Sequence, residues 1–189
     1  EADERTGRDK YRSLNRSLSR SRSGGRSRSR DLYAHAEILA ATENGSEVWG
    51  WVQIYEPASG PNAGSSQITA NIFGLPNEGA HGFHIHQTGD ISGGDCVATG
   101  AHYNPVPQPD PLWYIGELQN DSLDNTINGG AGTNLALYSA WDPLVSIDED
   151  YEYNVMGRSF VVHNNVTGNP RFGCGTIVPG RVPLTGPGN

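Results

Sequence analysis

Apolar and polar residues alternate along LYAHAEILA (32–40), EVWGWVQIYE (47–56), SQITANIFGL (66–75) and HGFHIHQ (81–87). A period of two sends successive side chains to opposite faces, so each run reads as a strand with one side buried. ENGS, PASGPNAGS and PNEGA separate the runs, and their glycines, prolines and asparagines supply turn conformations. A second set follows in WYIGELQ (113–119), GTNLALYSA (132–140), RSFVVH (158–163) and GCGTIV (173–178). YNVMG (153–157) reads as a connector, and WDPLVSIDEDYEYN (141–154) as irregular chain or a short helix. Short strands at this spacing close into an all-β, eight-stranded Greek-key barrel or sandwich. The 25 glycines and 12 prolines among 189 residues favour the same class.

Charge divides the chain. Residues 1–30 carry ten basic and four acidic side chains, a balance of +6, which leaves −14 on the remainder of a chain whose net charge is −8. The stretch SLSRSRSGGRSRSR cannot bury enough apolar surface to fold alone. Tyr11, Leu14 and Leu18 nevertheless fall on one helical face, so a partner could cover them. We read residues 1–31 as a basic Arg/Ser-rich arm, 32–180 as the barrel and 181–189 as a tail. The arm's first expected partner is the acidic body of a neighbouring copy, giving a homo-oligomer. Anionic surfaces such as lipopolysaccharide come second. Nucleic acid ranks lower because Tyr11 is the arm's only aromatic ring. No apolar run nears the ~18 residues of a membrane span, and no leader pattern opens the sequence, so a soluble chain with any signal peptide already removed is expected.

Cys96 and Cys174 are too far apart for a CxxC motif, and one disulfide is the natural reading, with two buried thiols as the alternative. A bridge closing so long a loop would stabilise the fold by roughly 4 kcal/mol. N-x-S/T sequons at Asn15, Asn44, Asn120 and Asn165 agree with secretion as glycosylation candidates. His84 and His86 flank Ile85, so both imidazoles share one strand face. His102 follows a Gly-rich excursion, and GRSFVVH delivers His163 at the end of another alternating run. Four converging imidazoles suit copper or zinc. His35 stands alone and receives no role.

HGFHIH, GAHYNP, GRSFVVH and RFGCG, in that order, resemble the copper/zinc superoxide dismutases over roughly residues 32–178. The resemblance implies that His84, His86 and His163 ligate copper and that His102 is the imidazole that bridges copper to zinc. It further implies a Cys96–Cys174 disulfide and an Arg171 guanidinium that draws superoxide to the copper, while His81 is structural. A structural salt bridge or a carbonyl clamp is the alternative for Arg171. Imidazoles serve both copper oxidation states, and a guanidinium offers a rigid fork to a small anion.

Two departures from that pattern matter. The loop after GAH, VPQPDPLWYIGELQ, has no histidine; Tyr114 and Glu117 stand where the last zinc histidine and the zinc aspartate belong. We therefore expect copper without structural zinc, with His102 as a fourth copper ligand or one that leaves and rejoins. Glu117 or Asp110 would then position its ring. Between His163 and Gly168 only Asn164, Asn165, Val166 and Thr167 remain of a long steering loop, so the copper should be open to solvent and a glycan on Asn165 would sit at its rim. These losses resemble the copper-only branch. Joined to an Arg/Ser arm, they resemble the dismutase-like plasma proteins of bivalve haemolymph, which implies extracellular secretion, large particles, and metal carriage or defence. Three functions are in play: superoxide dismutation, copper carriage without turnover, and arm-mediated binding of anionic surfaces.

Overall fold

The computed structural model describes residues 29–75, 79–105, 115–118, 126–129, 135–164 and 170–183. The expectations for the arm to residue 28, for the last six residues, and for Asn15, Asp110, Tyr114, Asn120 and Asn165 lie outside them. Nine strands are described: β1 Leu32–Ala40, β2 Trp49–Glu56, β3 Ser66–Phe73, β4 Gly79–His86, β5 Thr126–Gly129, β6 Leu135–Asp142, β7 Ser159–His163, β8 Arg171–Thr176 and β9 Val178–Pro179. They run in the order β2-β3-β6-β5-β4-β7-β8-β1-β9, and a further β2–β1 pairing closes the first eight into an antiparallel barrel. β6 lies between β3 and β5 while β4 lies between β5 and β7, which is the Greek-key weave expected from the turn spacing.

Alternation fixes the wall. Ala34, Ala36 and Ile38 of β1, Val52 and Ile54 of β2, and Ile68 and Ile72 of β3 point inward with essentially no exposure, as do Phe83, Ile85, Phe160 and Val162 across the barrel. Each large aliphatic or aromatic side chain buried this way contributes about 1.5–3 kcal/mol. β4 departs from the in-out rule, because His81 through His86 are all buried. Its inner face packs the core, and loops cover its outer face.

The structure differs from the sequence reading at two places and takes the irregular alternative at a third. Within WYIGELQ, the described residues Ile115–Glu117 form a 3-10 turn where a strand was expected, and Ile115 and the following Leu118 join the core beside β4. The missing strand is β5, whose TING lacks the length and alternation that mark the others. WDPLVSIDEDYEYN begins as the end of β6 and then turns irregularly without a helix. Asp142 Oδ1 accepts Leu144 N at 2.7 Å and Val145 N at 3.0 Å, and Glu56 Oε2 accepts Ile147 N at 2.9 Å. Buried carboxylates thus take the amides that a helix would have used. Among the described residues no helix is long and apolar enough to cross a membrane.

Candidate metal centre

His84 and His86 lie on the outer face of β4, where β7 runs alongside in the register His84↔Val161 and His86↔Ser159. β7 ends in His163, and a bulge after Val162 brings Arg171 opposite it on β8. The returning loop crosses β4 as a bridge between His86 and His102, secured by Gln87 N to Ala101 O at 2.9 Å and Tyr103 N to Ile85 O at 2.8 Å. The four histidines therefore converge: one ring nitrogen from each lies within 4.8 Å of the other three. His84, His86 and His163 are at most 2% exposed. The His102 side chain is 27% exposed, so it forms the mouth.

The outer nitrogens say which atoms are left for the centre. His86 Nδ1–H donates to the Gly100 carbonyl at 2.9 Å, which turns Nε2 inward to within 3.3 Å of His163 Nε2. His102 Nδ1 meets Glu117 Oε1 at 2.5 Å, freeing its Nε2. The other oxygen of Glu117 lies 3.8 Å from His84 Nε2. His84 Nδ1 is buried and has no hydrogen-bond partner. His81 stands behind the cluster, its Nδ1–H donating to the His163 carbonyl at 3.1 Å. Burial, helped by the neighbouring His102, lowers the His84 pKa to about 3, and burial lowers that of His86 to about 2. Both rings are thus neutral near pH 7 and carry lone pairs. A buried orphan nitrogen and two Nε2 atoms facing each other are what a cation would satisfy, and an all-imidazole set suits copper, zinc and their neighbours.

Glu117 reaches His102 because its backbone has no room to move. Gly116 N donates to Tyr103 O at 2.9 Å, and a Cβ on Gly116 would lie 2.6 Å from Ile85 O and 2.7 Å from Tyr103 N. From the far side, the buried Tyr138 hydroxyl donates to Leu118 O at 3.3 Å.

Cys96 and Cys174 are joined as a disulfide. Arg171, three residues before Cys174, gives Nη1 to Cys96 O at 2.6 Å, Val97 O at 3.3 Å and Thr99 Oγ1 at 2.8 Å, and Nη2 to Gly100 O at 2.8 Å. It clamps the loop whose Gly100 carbonyl holds His86. Asn44, the one sequon within the described residues, is exposed and gives Nδ2 to the Arg171 carbonyl at 2.9 Å. The sequence reading missed Gly100 and Gly116, which act through backbone atoms, and Thr99 and Tyr138, which act through their hydroxyls. For Thr99 and Gly100, their place between Cys96 and His102 was the available signal. His35 is remote, its ring against Gly180 O at 3.3 Å.

Fold and site together define a Greek-key barrel with a four-imidazole cluster on its outer wall that could hold a metal ion. Residues 48–177 match the family model described as copper/zinc superoxide dismutase, and the chain belongs to that family. It is 32% identical over 131 residues to superoxide dismutase [Cu-Zn] 3 of Arabidopsis thaliana, covering 61% of this chain and 76% of that protein. To the extracellular superoxide dismutase [Cu-Zn] of Caenorhabditis elegans it is 33% identical over 132 residues, 59% of this chain and 54% of that one. Among solved structures, Candida albicans superoxide dismutase 5 with Cu(II) superposes with a TM-score of 0.60 at 23% identity, covering 84% of this chain and 97% of the other. A superoxide-dismutase-like protein from Bacillus subtilis gives 0.55 at 18% identity, covering 75% and 95%.

Proposed function

We propose that this is a secreted, self-assembling copper protein that dismutates superoxide at a centre without a zinc companion. The observation that carries the reading is the buried His84 Nδ1, unpartnered and inside a cluster of four imidazoles. His84 through Nδ1, and His86, His163 and His102 through Nε2, would hold the copper. When bound, copper supplies a one-electron couple that turns one superoxide into O2 and, with two protons, the next into hydrogen peroxide. Glu117 does for His102 what a second metal does in zinc-bearing relatives, holding Nδ1 so that Nε2 faces the copper. With copper bound, His102 Nε2 would be the ligand atom at the mouth that can also carry a proton. Arg171 adds a fixed positive charge beside the site while it clamps the loop.

Copper carriage with little turnover is the second reading. It is favoured by the −14 balance of the body, which slows capture of an anion. The disulfide and the extracellular nematode relative support secretion into a body fluid such as haemolymph. The Asn44 amide keeps one N–H for Arg171 O if a glycan is attached. Residues 1–31 form the assembly arm, with lipopolysaccharide as a further anionic partner; 32–180 form the barrel and 181–189 its tail.

Metal analysis of the native protein coupled to a superoxide-consumption assay tests this. Near-stoichiometric copper without zinc, with activity above that of His84→Ala, establishes the copper-only dismutase. Bound copper without activity leaves the carrier.

A further inference from the structure

The barrel wall farthest from the imidazoles is faced with aromatic rings. Around the closed ring of strands, β2 and β3 lie half-way from β4 and β7. On this wall the outward positions pair Tyr33 with Tyr55, Trp49 with Phe73, and Trp51 with Asn71, while Trp141 neighbours Tyr55 through Gln67. Trp49 is 41% exposed and stacks on Phe73 at 4.3 Å; Tyr55 stacks on Tyr33 at 5.1 Å and meets the edge of Trp141 at 6.3 Å. Three of the chain's four tryptophans are here, with Leu137 65% exposed beside them. The outer face of an antiparallel sheet is ordinarily polar, and a patch of this kind marks an interaction surface.

Two observations say what covers it. An arginine already sits on the wall, the Arg181 guanidinium lying 3.7 Å over the Tyr33 ring. The chain also enters at its rim, because Asp31 accepts from the Tyr55 hydroxyl at 3.1 Å and from Ala58 N at 3.0 Å. Residues 1–28 precede that point with eight arginines and one lysine. Extended, they could span ~90 Å, several times the ~15 Å width of four strands.

We propose that residues 1–28 dock on this wall, with arginines stacked over Trp49, Trp51, Trp141 and Tyr55 as Arg181 is over Tyr33, and Leu14 and Leu18 against Leu137. The inference rests on the reading of the arm as an assembly element and identifies the surface that receives it. Stacking explains why arginine dominates the arm. A planar guanidinium lies flat on a ring, whereas lysine offers only a hydrated point charge.

The test uses the full chain in a Trp113→Phe background, so that only the wall's tryptophans report. In a companion, every arginine of residues 1–28 is replaced by lysine, which preserves charge. Acrylamide quenching of tryptophan emission should rise at least about two-fold in the lysine version, with a red shift, as the rings lose their cover. Unchanged quenching overturns the proposal. If the tryptophans are protected in both versions, a second copy's wall covers them; if exposed in both, nothing does. Sedimentation run alongside tests the underlying reading separately. A smaller particle with unchanged quenching means that the arm assembles through another surface. Raised quenching with both versions sedimenting as monomers means that the arm docks on its own barrel, which keeps the docking surface and removes the assembly reading.

Discussion

At the scale of single residues, the centre is a set of nitrogens whose outward partners decide which lone pair faces in. Glu117 is the most consequential partner, since its two oxygens face His102 Nδ1 and His84 Nε2. Glu117→Gln keeps the shape but replaces one oxygen with an N–H donor and removes the charge. We expect copper affinity to fall about 10- to 100-fold, as for other groups that orient metal ligands, measured by competition against a chelator. The same burial makes the metal-free protein sensitive to acid. With His84 and His86 lowered to about 3 and about 2, the unfolded chain, whose histidines titrate near the ordinary 6.5, takes up protons before the folded one does. Stability is therefore full above about pH 6.5 and is lost as pH falls toward about 3, at up to ~1.4 kcal/mol per pH unit for each ring. Melting of the metal-free protein from about pH 8 down to about pH 4 should show this fall, and a flat profile would contradict it.

At the scale of elements, three segments carried on the barrel wall build the cage: the β4 face, the end of β7, and the loop that Arg171 and the disulfide tie to β8. Cys174→Ser should cost roughly 4 kcal/mol by freeing a long loop in the unfolded chain, read from the denaturant midpoint. It should also loosen the Gly100 carbonyl and hence His86, so copper affinity should drop even under conditions where the barrel stays folded. What the sequence made legible follows from the same division. The periods of two around His84, His86 and His163 are local, so strand, face and ligand could be read together. Ile115–Glu117 misled because the aromatic and aliphatic residues of WYIGEL read as a strand, and only the tertiary contacts of Gly116 with Ile85 and Tyr103 make it a turn. The clamp by Arg171 was legible as one of two readings, but its four acceptors belong to a loop whose conformation depends on a left-handed Cys96, with φ of 62°. β5 was illegible, since four residues carry too little pattern.

At the scale of the molecule, charge is segregated between an arm at +6 in residues 1–30 and a body at −14. If arm and body hold copies together, raising ionic strength from about 0.05 to about 1 M should shift the sedimentation coefficient to smaller species, because the screening length shrinks to ~3 Å. A salt-independent particle would count against the arm. Topology limits the alternatives. The β2–β1 pairing closes the barrel, so its first eight strands all have neighbours on both sides. Unpaired strand edges are the usual template by which crowded β-proteins propagate into fibrils. Among the described residues only the two-residue β9 has an open side, so copies gathered at high concentration should meet chiefly through side chains, and their aggregates should redissolve on dilution.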